Sequence, residues 1–323
     1  MRAPPAVLLT RPLPEEVIEY LNARCDLRLN EEDRPISRDR LLAEASGAEG
    51  LLTMLTDRID DEVLDAAGPQ LLVVSNYAVG YDNVDLAACS RRGILVTNTP
   101  DVLTDATADL AWSLILAASR RVVEGDRLVR NRTPWEWAPG FMLGREVTGK
   151  VLGIVGFGRI GQAVAARAVG FSMPIVYASR WARRDVPGRF RGFEELLAEA
   201  DIISVHVPLN DETRHLFGSK EFEAMKPTAV FVNTSRGPVV DEVALAEALR
   251  SGQIMAAGLD VYEREPEVHP SLIELENVVL APHLGSATIE TRLGMGMLAA
   301  ENLIAALEGR EPRAVVNRES LGR

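Results

Sequence analysis

Short apolar runs alternate with amphipathic segments along the first hundred residues. Runs of four or five residues are typical of buried strands, and the segments between them carry apolar residues at helical spacing. The predicted strands are Ala6–Thr10, Gly50–Met54, Leu71–Ser75 and Ile94–Thr97, and the predicted helices are Leu13–Ala23, Arg38–Ala45 and Asp60–Ala67. This alternation is typical of a parallel α/β unit.

A second α/β pattern begins at Val151. It follows a helical stretch over Val102–Arg130 and an irregular segment, Asn131–Lys150, in which prolines and glycines are interleaved with tryptophans. The aromatic residues of that segment predict a loop packed against another surface, such as a second subunit. The predicted strands are Val151–Val155, Pro174–Ala178, Asp201–Val205, Ala229–Val232, Met255–Leu259 and Val278–Leu280, and the last predicted helix is Ala287–Glu308.

The length of 323 residues predicts two domains, at roughly 150 residues each. The simplest division gives a first domain of residues 1–100 and a second of residues 101–284, followed by a C-terminal helix. If that helix returns to the first sheet, residues 285–323 complete the first domain.

Composition narrows the class of protein. A hydrophobic fraction of 47% and a charged fraction of 25% are those of a globular chain, not of a disordered, fibrous or membrane protein. The net charge of −12 disfavours nucleic acid and anionic membrane surfaces as partners. Cys25 and Cys89 show no disulfide framework or metal-ligand spacing, so no metal is expected. The apolar run Ala6–Leu9 is too short for a signal peptide, and a cytoplasmic location is expected.

The most specific local signal is a glycine-rich turn between a strand and a helix. The strand Val151–Val155 leads into Gly156-Phe-Gly158-Arg-Ile-Gly161, and a helical pattern follows. In a dinucleotide-binding turn the first glycine permits the tight bend, the second admits the pyrophosphate, and the third lets helix and strand pack closely. The alternative is a glycine-rich turn that binds no ligand, which this context disfavours.

The residues after the next strand indicate which dinucleotide is bound. NAD sites place an acidic residue there to bind the ribose 2′-hydroxyl. Here the strand ending at Ala178 continues into Ser179, Arg180, Arg183 and Arg184. A guanidinium suits a 2′-phosphate, so NADP(H) is favoured and NAD(H) stays possible. The alternative for these arginines is a solvated basic loop.

Three further strand ends carry charged groups. Arg236 follows one predicted strand, Asp260 and Glu265 follow the next, and His283 follows the last. Ligands of doubly wound folds bind outside the carboxyl ends of the strands, so these groups are expected at one rim. His206 also ends a strand, but a structural role is expected for it.

Seven blocks in order along the chain resemble those of the D-isomer-specific 2-hydroxyacid dehydrogenase family. They are Tyr77–Asp85, Gly93–Asp101, Thr107–Ala111, Gly156–Gly161, Asn233–Gly237, Gly258–Pro266 and Pro282–Thr288. Within the family, the chain resembles the glyoxylate/hydroxypyruvate reductases. The resemblance implies an α/β fold class with two doubly wound parallel-sheet domains. Residues 101–284 would form a Rossmann dinucleotide-binding domain, and residues 1–100 with 285–323 a flavodoxin-like substrate domain.

The resemblance also implies roles for individual residues. Arg236 would bind the substrate carboxylate and polarise its keto oxygen, His283 would be the general acid/base, and Glu265 would hydrogen-bond to His283. The residues expected to contact substrate are Val79, Gly80, Met54, Leu55, Arg236 and Trp137. Those expected to contact the cofactor are Thr107, Gly156, Gly158, Arg159, Ile160, Gly161, Ser179, Arg180, Val207, Pro208, Thr213, Thr234, Asp260, His283 and Gly285. Trp137 resembles a loop tryptophan that closes the active site of the partner subunit, which implies a homodimer.

The expected reaction is therefore the NADPH-dependent reduction of small 2-keto acids, glyoxylate and hydroxypyruvate, to D-2-hydroxy acids. One alternative is an NAD-preferring D-2-hydroxyacid or phosphoglycerate dehydrogenase. Another is a dinucleotide-sensing binding protein without catalysis on the same fold. Glu265 speaks against the similar formate dehydrogenases, because they carry Gln at this position.

Overall fold

The chain folds into two compact α/β units in a computed structural model that describes residues 3–321. The first unit contains Met1–Leu103 and Thr288–Arg323, and the second contains Thr104–Ala287. The sequence predicts the divisions after residues 100 and 284. Within the described range, no helix is long and apolar enough to cross a membrane.

The first unit is built on a five-stranded parallel sheet. Its strands are β1 (Ala6–Leu9), β2 (Asp26–Leu29), β3 (Gly50–Thr53), β4 (Val73–Asn76) and β5 (Leu95–Thr97). Its helices are α1 (Glu15–Asn22), α2 (Arg38–Ala45), α3 (Asp61–Ala67), α4 (Leu86–Arg91) and α12 (Ile289–Leu307). The strand order β2-β1-β3-β4-β5 is that of flavodoxin-like folds, which confirms the expected class.

The C-terminal helix α12 belongs to this first sheet. Its buried face packs over β3 and β4, where Leu303 is fully buried and Ser75 donates a 2.8 Å hydrogen bond to the carbonyl of Ala299. Gly296 lies where α12 meets α1, since a Cβ there would come within 2.7 Å of Val17. The first unit therefore draws its core from both ends of the chain.

The second unit is built on a seven-stranded parallel sheet. Its strands are β6 (Leu152–Val155), β7 (Ile175–Ala178), β8 (Arg189–Phe190), β9 (Ile202–Val205), β10 (Val230–Asn233), β11 (Ala256–Leu259) and β12 (Val278–Leu280). Its helices are α5 (Thr104–Ser119), α6 (Val122–Arg130), α7 (Arg159–Ala168), α8 (Phe193–Glu199), α9 (Ser219–Glu223), α10 (Glu242–Ser251) and α11 (Pro270–Ile273).

The order β8-β7-β6-β9-β10-β11-β12 is the doubly wound Rossmann arrangement, extended by one strand. Strand order reverses between β6 and β9, and this reversal opens the crevice in which such folds bind dinucleotides. Because all pairings are parallel, the carboxyl ends of the strands share one edge. Arg236, Glu265 and His283 follow the ends of β10, β11 and β12 at that edge.

The single helix predicted over Val102–Arg130 is wrong, because the structure breaks it into α5 and α6. The break lies at Arg121, whose φ is +56°, in the left-handed region. The carbonyl of Ser119 accepts a 2.8 Å hydrogen bond from the amide of Arg145, and Gly144 packs directly against it. A distant segment thus takes the carbonyl that would have continued the helix, which local sequence does not reveal.

Candidate active site

At two positions of the glycine turn after β6, there is no room for a residue with a Cβ atom. Gly156 has φ of +95°, and a Cβ there would lie 2.6 Å from the carbonyl of His206 and 2.7 Å from the amide of Val207. A Cβ at Gly161 would lie 2.3 Å from the carbonyl oxygen of Gly156. The first glycine therefore permits the close approach of β6 and β9, and Gly161 lets α7 pack onto the turn.

The space outside this turn fits the pyrophosphate of a dinucleotide. A Cβ at Gly158 would meet no atom of the described residues within 4 Å, and α7 begins immediately afterwards at Arg159 with Ile160. The N-terminal amides of a helix favour an anionic group. After β10, the buried Oγ1 of Thr234 has no hydrogen-bond partner among residues 3–321. A buried donor of this kind is suited to a polar ligand.

The other residues predicted to bind cofactor surround the same edge. Ser179 follows β7, where Gly156 donates to the carbonyl of Ala178 at 2.9 Å, and the Ser179 hydroxyl donates to the carbonyl of Trp181 at 2.6 Å. Arg180 is exposed. The segment after β9 contains Val207 and Pro208, and Thr213 donates to the Pro208 carbonyl at 2.6 Å. Elsewhere in the second unit, Thr107 donates to the carbonyl of Gly285 at 3.0 Å.

The predicted histidine and carboxylate are brought together. Nδ1 of His283 lies 2.7 Å from Oε2 of Glu265, and the two side chains are 28% and 30% exposed. The other carboxylate oxygen, Oε1, accepts a 3.0 Å hydrogen bond from the amide of Tyr262. Burial alone would raise the pKa of Glu265, but His283, the Tyr262 amide and the positive charge of Arg236 outweigh it and hold the pKa below its ordinary value. Glu265 is therefore ionised at neutral pH.

The backbone of His283 is held in an unusual conformation. Its φ is +56°, in the left-handed region that a non-glycine residue rarely adopts. Its amide donates to the carbonyl of Asp260 at 2.8 Å, and the carboxylate of Asp260 accepts from the amides of Leu284 at 2.6 Å and Gly285 at 2.8 Å. Burial raises the pKa of Asp260 to about 6 despite these bonds. Asp260 thus fixes the turn that presents the imidazole.

Arg236 stands on the segment that follows β10. The side chain of Asn233 donates to the carbonyl of Arg236 at 3.0 Å, and one guanidinium nitrogen of Arg236 donates to the carbonyl of Ser235 at 2.8 Å. The next residue, Gly237, lies against the peptide that joins Tyr262 to Glu263, since a Cβ on it would fall 1.8 Å from the Tyr262 carbonyl carbon. The cation-bearing and carboxylate-bearing segments are therefore in direct contact.

Sequence reasoning missed Tyr262 as a contributor to this site. Its hydroxyl donates to the carbonyl of Ala281 at 2.9 Å, which links the segment carrying Glu265 to the one carrying His283. The sequence signal that could have indicated Tyr262 is its position two residues after Asp260, in the loop that follows a predicted strand. A structural role for His206 stays a prediction. Burial lowers its pKa to about 3, and Nε2 lies 2.8 Å from the hydroxyl of Ser204, whereas the buried Nδ1 has no hydrogen-bond partner among residues 3–321.

The residues predicted to bind substrate in the first unit lie on two loops. Asn98 and Asn76 donate to the carbonyls of Val79 at 2.8 Å and Gly80 at 2.9 Å. On the other loop, the carbonyl of Met54 accepts from Asn83 at 3.1 Å, and the adjacent Leu55 is 37% exposed. Amide side chains therefore hold both loops in place.

Trp137 lies in the irregular loop of the second unit, with 80% of its surface exposed. Nearby, Trp135 and Phe141 stack with ring centroids 5.9 Å apart. So large an exposed aromatic side chain is typical of a surface that contacts another molecule. The predicted role of Trp137 at a partner's active site stays a prediction.

Comparison with known proteins places the chain in a family. Residues 112–285 match the model of the NAD-binding domain of D-isomer specific 2-hydroxyacid dehydrogenases. A glyoxylate reductase of Thermococcus gammatolerans is 50% identical over 323 residues, covering 98% of this chain and 96% of the relative. The chain belongs to the D-isomer specific 2-hydroxyacid dehydrogenase family. It is therefore an NAD(P)-dependent dehydrogenase with a nicotinamide dinucleotide cofactor, as the sequence predicted.

Two solved structures agree with the fold. A protein of Thermus thermophilus superposes with a TM-score of 0.91 at 47% identity, over 96% of this chain and 99% of that one. An NADPH-dependent glyoxylate/hydroxypyruvate reductase of Sinorhizobium meliloti, solved with NADP and malonate, gives a TM-score of 0.85 at 31% identity and covers 97% of both chains.

Proposed function

We propose that this dehydrogenase reduces glyoxylate and hydroxypyruvate to the corresponding D-2-hydroxy acids, with NADPH as the preferred cofactor. The observation that carries the proposal is the 2.7 Å distance between Nδ1 of His283 and Oε2 of Glu265. The segment that bears Glu265 is in contact with the segment that bears Arg236. Relatives that share about half of the sequence are named glyoxylate reductases, which supports the substrate.

The charges of these three side chains suit the reduction of a 2-keto acid. The guanidinium of Arg236 offers paired donors to the substrate carboxylate and the keto oxygen. Because Glu265 engages Nδ1 of His283, the opposite nitrogen, Nε2, is the one that donates the proton to the developing alkoxide. The positive charges of Arg236 and protonated His283 stabilise that alkoxide. The nicotinamide, when bound, supplies the hydride.

The same arrangement gives the other predicted residues their roles. Asp260 would fix the turn of His283 next to the nicotinamide, and Thr234 would offer its hydroxyl to the cofactor. Val79 and Gly80 stay proposed as donors of backbone N–H groups to the substrate carboxylate. Domain roles follow from these assignments: the second unit would bind the dinucleotide and the first would contribute substrate contacts.

The preference for NADPH rests on the residues after β7. No acidic side chain stands at the position that binds a ribose 2′-hydroxyl, whereas Ser179 and the exposed Arg180 suit a 2′-phosphate. The Sinorhizobium meliloti relative is named NADPH-dependent, which supports this choice. A charge-assisted hydrogen bond contributes about 1.5 to 3 kcal/mol, or roughly 10- to 100-fold in affinity.

Initial rates test both parts of the proposal. We expect glyoxylate and hydroxypyruvate to oxidise NADPH faster than NADH in the unaltered protein. Arg180→Ala should raise the KM for NADPH about tenfold or more and leave the KM for NADH nearly unchanged, while Arg250→Ala, an exposed arginine of the same unit on α10, should change neither. Equal effects of Arg180→Ala on both cofactors would refute the NADPH preference, and the absence of turnover with either keto acid would refute the substrates.

We also propose that the protein forms a homodimer through the loop that carries Trp137. The support is the family resemblance of this tryptophan and its 80% exposure. Trp137→Ala should raise the KM for the keto acid and leave the KM for NADPH unchanged. Sedimentation of the unaltered protein as a monomer at assay concentration would contradict this proposal.

A further inference from the structure

Two carboxylates outside the proposed catalytic set are bonded to each other's backbone. The amide of Glu242, the first residue of α10, donates to Oε1 of Glu263 at 3.0 Å. In return, the amide of Glu263 donates to Oε1 of Glu242 at 2.9 Å. This reciprocal pair joins two segments that are 21 residues apart in sequence. We refer to Glu242 and Glu263, with these two bonds, as the clasp.

The clasp stands between the two segments that carry Arg236 and Glu265. Glu242 follows the short 3₁₀ helix Gly237–Val239, which begins directly after Arg236. Glu263 is two residues before Glu265. Between these points, Gly237 lies against the peptide joining Tyr262 to Glu263, so the two backbones touch beside the clasp. The clasp therefore lies at the contact between the cationic and carboxylate segments.

The clasp is partly buried and makes a third side-chain contact. Glu242 is only 5% exposed. Burial raises the pKa of its carboxyl, and the nearby charge of Glu263 acts in the same direction, while the amides of Glu263 and His269 oppose both effects. The second oxygen of Glu263, Oε2, lies 3.0 Å from Nε2 of His215. The clasp is thus held in place from three segments of the chain.

His215 connects the clasp back to the segment after Arg236. Its amide donates to the carbonyl of Pro238 at 2.8 Å, and two residues later Phe217 donates to the carbonyl of Val239 at 3.1 Å. The segment His215–Phe217 is therefore hydrogen-bonded through its backbone to the segment after Arg236 and through the His215 side chain to Glu263. A shift of Glu263 would be transmitted to both segments.

The geometry points to Glu242 and Glu263 as positioning residues for the proposed reaction: the clasp sets the place of Glu265, and through it of His283, relative to Arg236. This inference rests on the proposed function. The link to Glu265 is the amide of Tyr262, which is adjacent to Glu263 and donates to Oε1 of Glu265 at 3.0 Å. A displacement of about 1 Å at a reacting group can lower a rate by roughly 100-fold.

The test compares isosteric and acceptor-free variants of one carboxylate. Glu263→Gln keeps an oxygen that accepts from the amide of Glu242, whereas Glu263→Met has a similar length and lacks that oxygen. Glu263→Met should lower kcat for glyoxylate reduction by about tenfold or more with little change in the KM for NADPH. Glu263→Gln should retain kcat within about threefold. Glu195→Met, which removes a 3.1 Å carboxylate–amide bond at the start of α8, is the matched control and should leave kcat unchanged.

A pH profile separates positioning from general destabilisation. The charged groups that face Glu265 are His283, Arg236 and Asp260. If Glu263→Met loosens Glu265 from these partners, the pKa of Glu265 rises toward its ordinary value or above. The acid limb of the kcat/KM profile then moves to higher pH. In Glu263→Gln the limb should stay in place. A lower melting temperature with an unmoved limb and unchanged kcat would overturn the inference.

An activity-independent measurement keeps the two proposals distinct. Hydrogen exchange at the amide of Tyr262, the donor to Glu265, should accelerate about tenfold or more in Glu263→Met and remain slow in Glu263→Gln and Glu195→Met. If the unaltered protein fails to reduce glyoxylate, the proposed function fails, and slow exchange at Tyr262 in Glu263→Met would refute the clasp as well. If the unaltered protein is active and Glu263→Met matches it in kcat and exchange, only the clasp is refuted.

Discussion

Replacing Asp260 with asparagine should change how stability depends on pH. The carboxylate accepts hydrogen bonds from Leu284 and Gly285 yet is only 1% exposed, and burial raises its pKa from 3.8 to about 6. The folded protein therefore binds this proton more tightly than the unfolded chain does. Between about pH 4 and pH 6 this carboxyl carries more of its proton in the folded state, so the contribution of Asp260 to the free energy of unfolding falls as pH rises through this window and levels off above it.

The size of the effect follows from the shift in pKa. A shift of about two units corresponds to about 3 kcal/mol, of which about 2 kcal/mol falls between pH 4 and pH 7. The amide introduced by Asp260→Asn has no proton to bind in this range. The stability of the wild type relative to this variant should therefore drop by about 2 kcal/mol from pH 4 to pH 7. Groups that do not face Asp260 titrate alike in both proteins and cancel.

Urea unfolding of both proteins at pH 4 and pH 7 measures this difference. Asp201→Asn serves as the control. Burial alone would raise the pKa of Asp201, but Lys226 and the amide of Val151 outweigh burial and hold the pKa below its ordinary value. The pH range in which Asp201 affects stability therefore lies below pH 4. The difference between wild type and Asp201→Asn should therefore stay nearly constant from pH 4 to pH 7. A constant difference for Asp260→Asn too, or one of opposite sign, would show that Asp260 does not hold its proton as burial requires.

Three substitutions test the cofactor turn and the loop beside it. Gly161→Ala places a Cβ 2.3 Å from the carbonyl oxygen of Gly156, so it should lower the free energy of unfolding by about 1 to 3 kcal/mol and raise the KM for NADPH. The control is Gly170→Ala, whose Cβ would meet no described atom within 4 Å and which should change neither quantity. Thr234→Val removes a buried hydroxyl that has no partner in residues 3–321, so the melting temperature should hold or rise while the KM for NADPH increases severalfold. Tyr262→Phe should lower the free energy of unfolding in urea by about 1 kcal/mol and also reduce kcat; an unchanged kcat would show that its hydroxyl is only structural.

The sequence predicted the strands that are buried on both faces. Runs such as Gly50–Met54 and Ala229–Val232 contain almost only apolar residues, and the observed strands differ from them by a residue or so at either end. The fold class is confirmed because the alternation of such strands with helices leaves few arrangements besides two parallel sheets. By contrast, β2 (Asp26–Leu29) went unpredicted, because an edge strand with only two apolar residues resembles a loop.

Predicting the site was easier where backbone topology dictates position. Arg236, Glu265 and His283 follow three neighbouring strands, and parallel pairing brings the ends of those strands to one edge. Glu242 and Glu263 escaped notice since nothing in the spacing of two glutamates 21 residues apart indicates that each binds the other's amide. Local patterns describe strands and turns, whereas contacts between distant loops depend on the complete fold.

The rate of glyoxylate reduction by His283→Ala is the decisive test of the proposed chemistry. We predict that the unaltered protein consumes NADPH when glyoxylate is added, and that the variant is slower by about 100-fold or more, since general acid catalysis contributes at least that much. The Kd for NADPH of the variant, measured by fluorescence titration, should stay within about threefold of that of the unaltered protein. Turnover by His283→Ala close to that of the unaltered protein would contradict the proposed role of His283, because the proton would then come from another group.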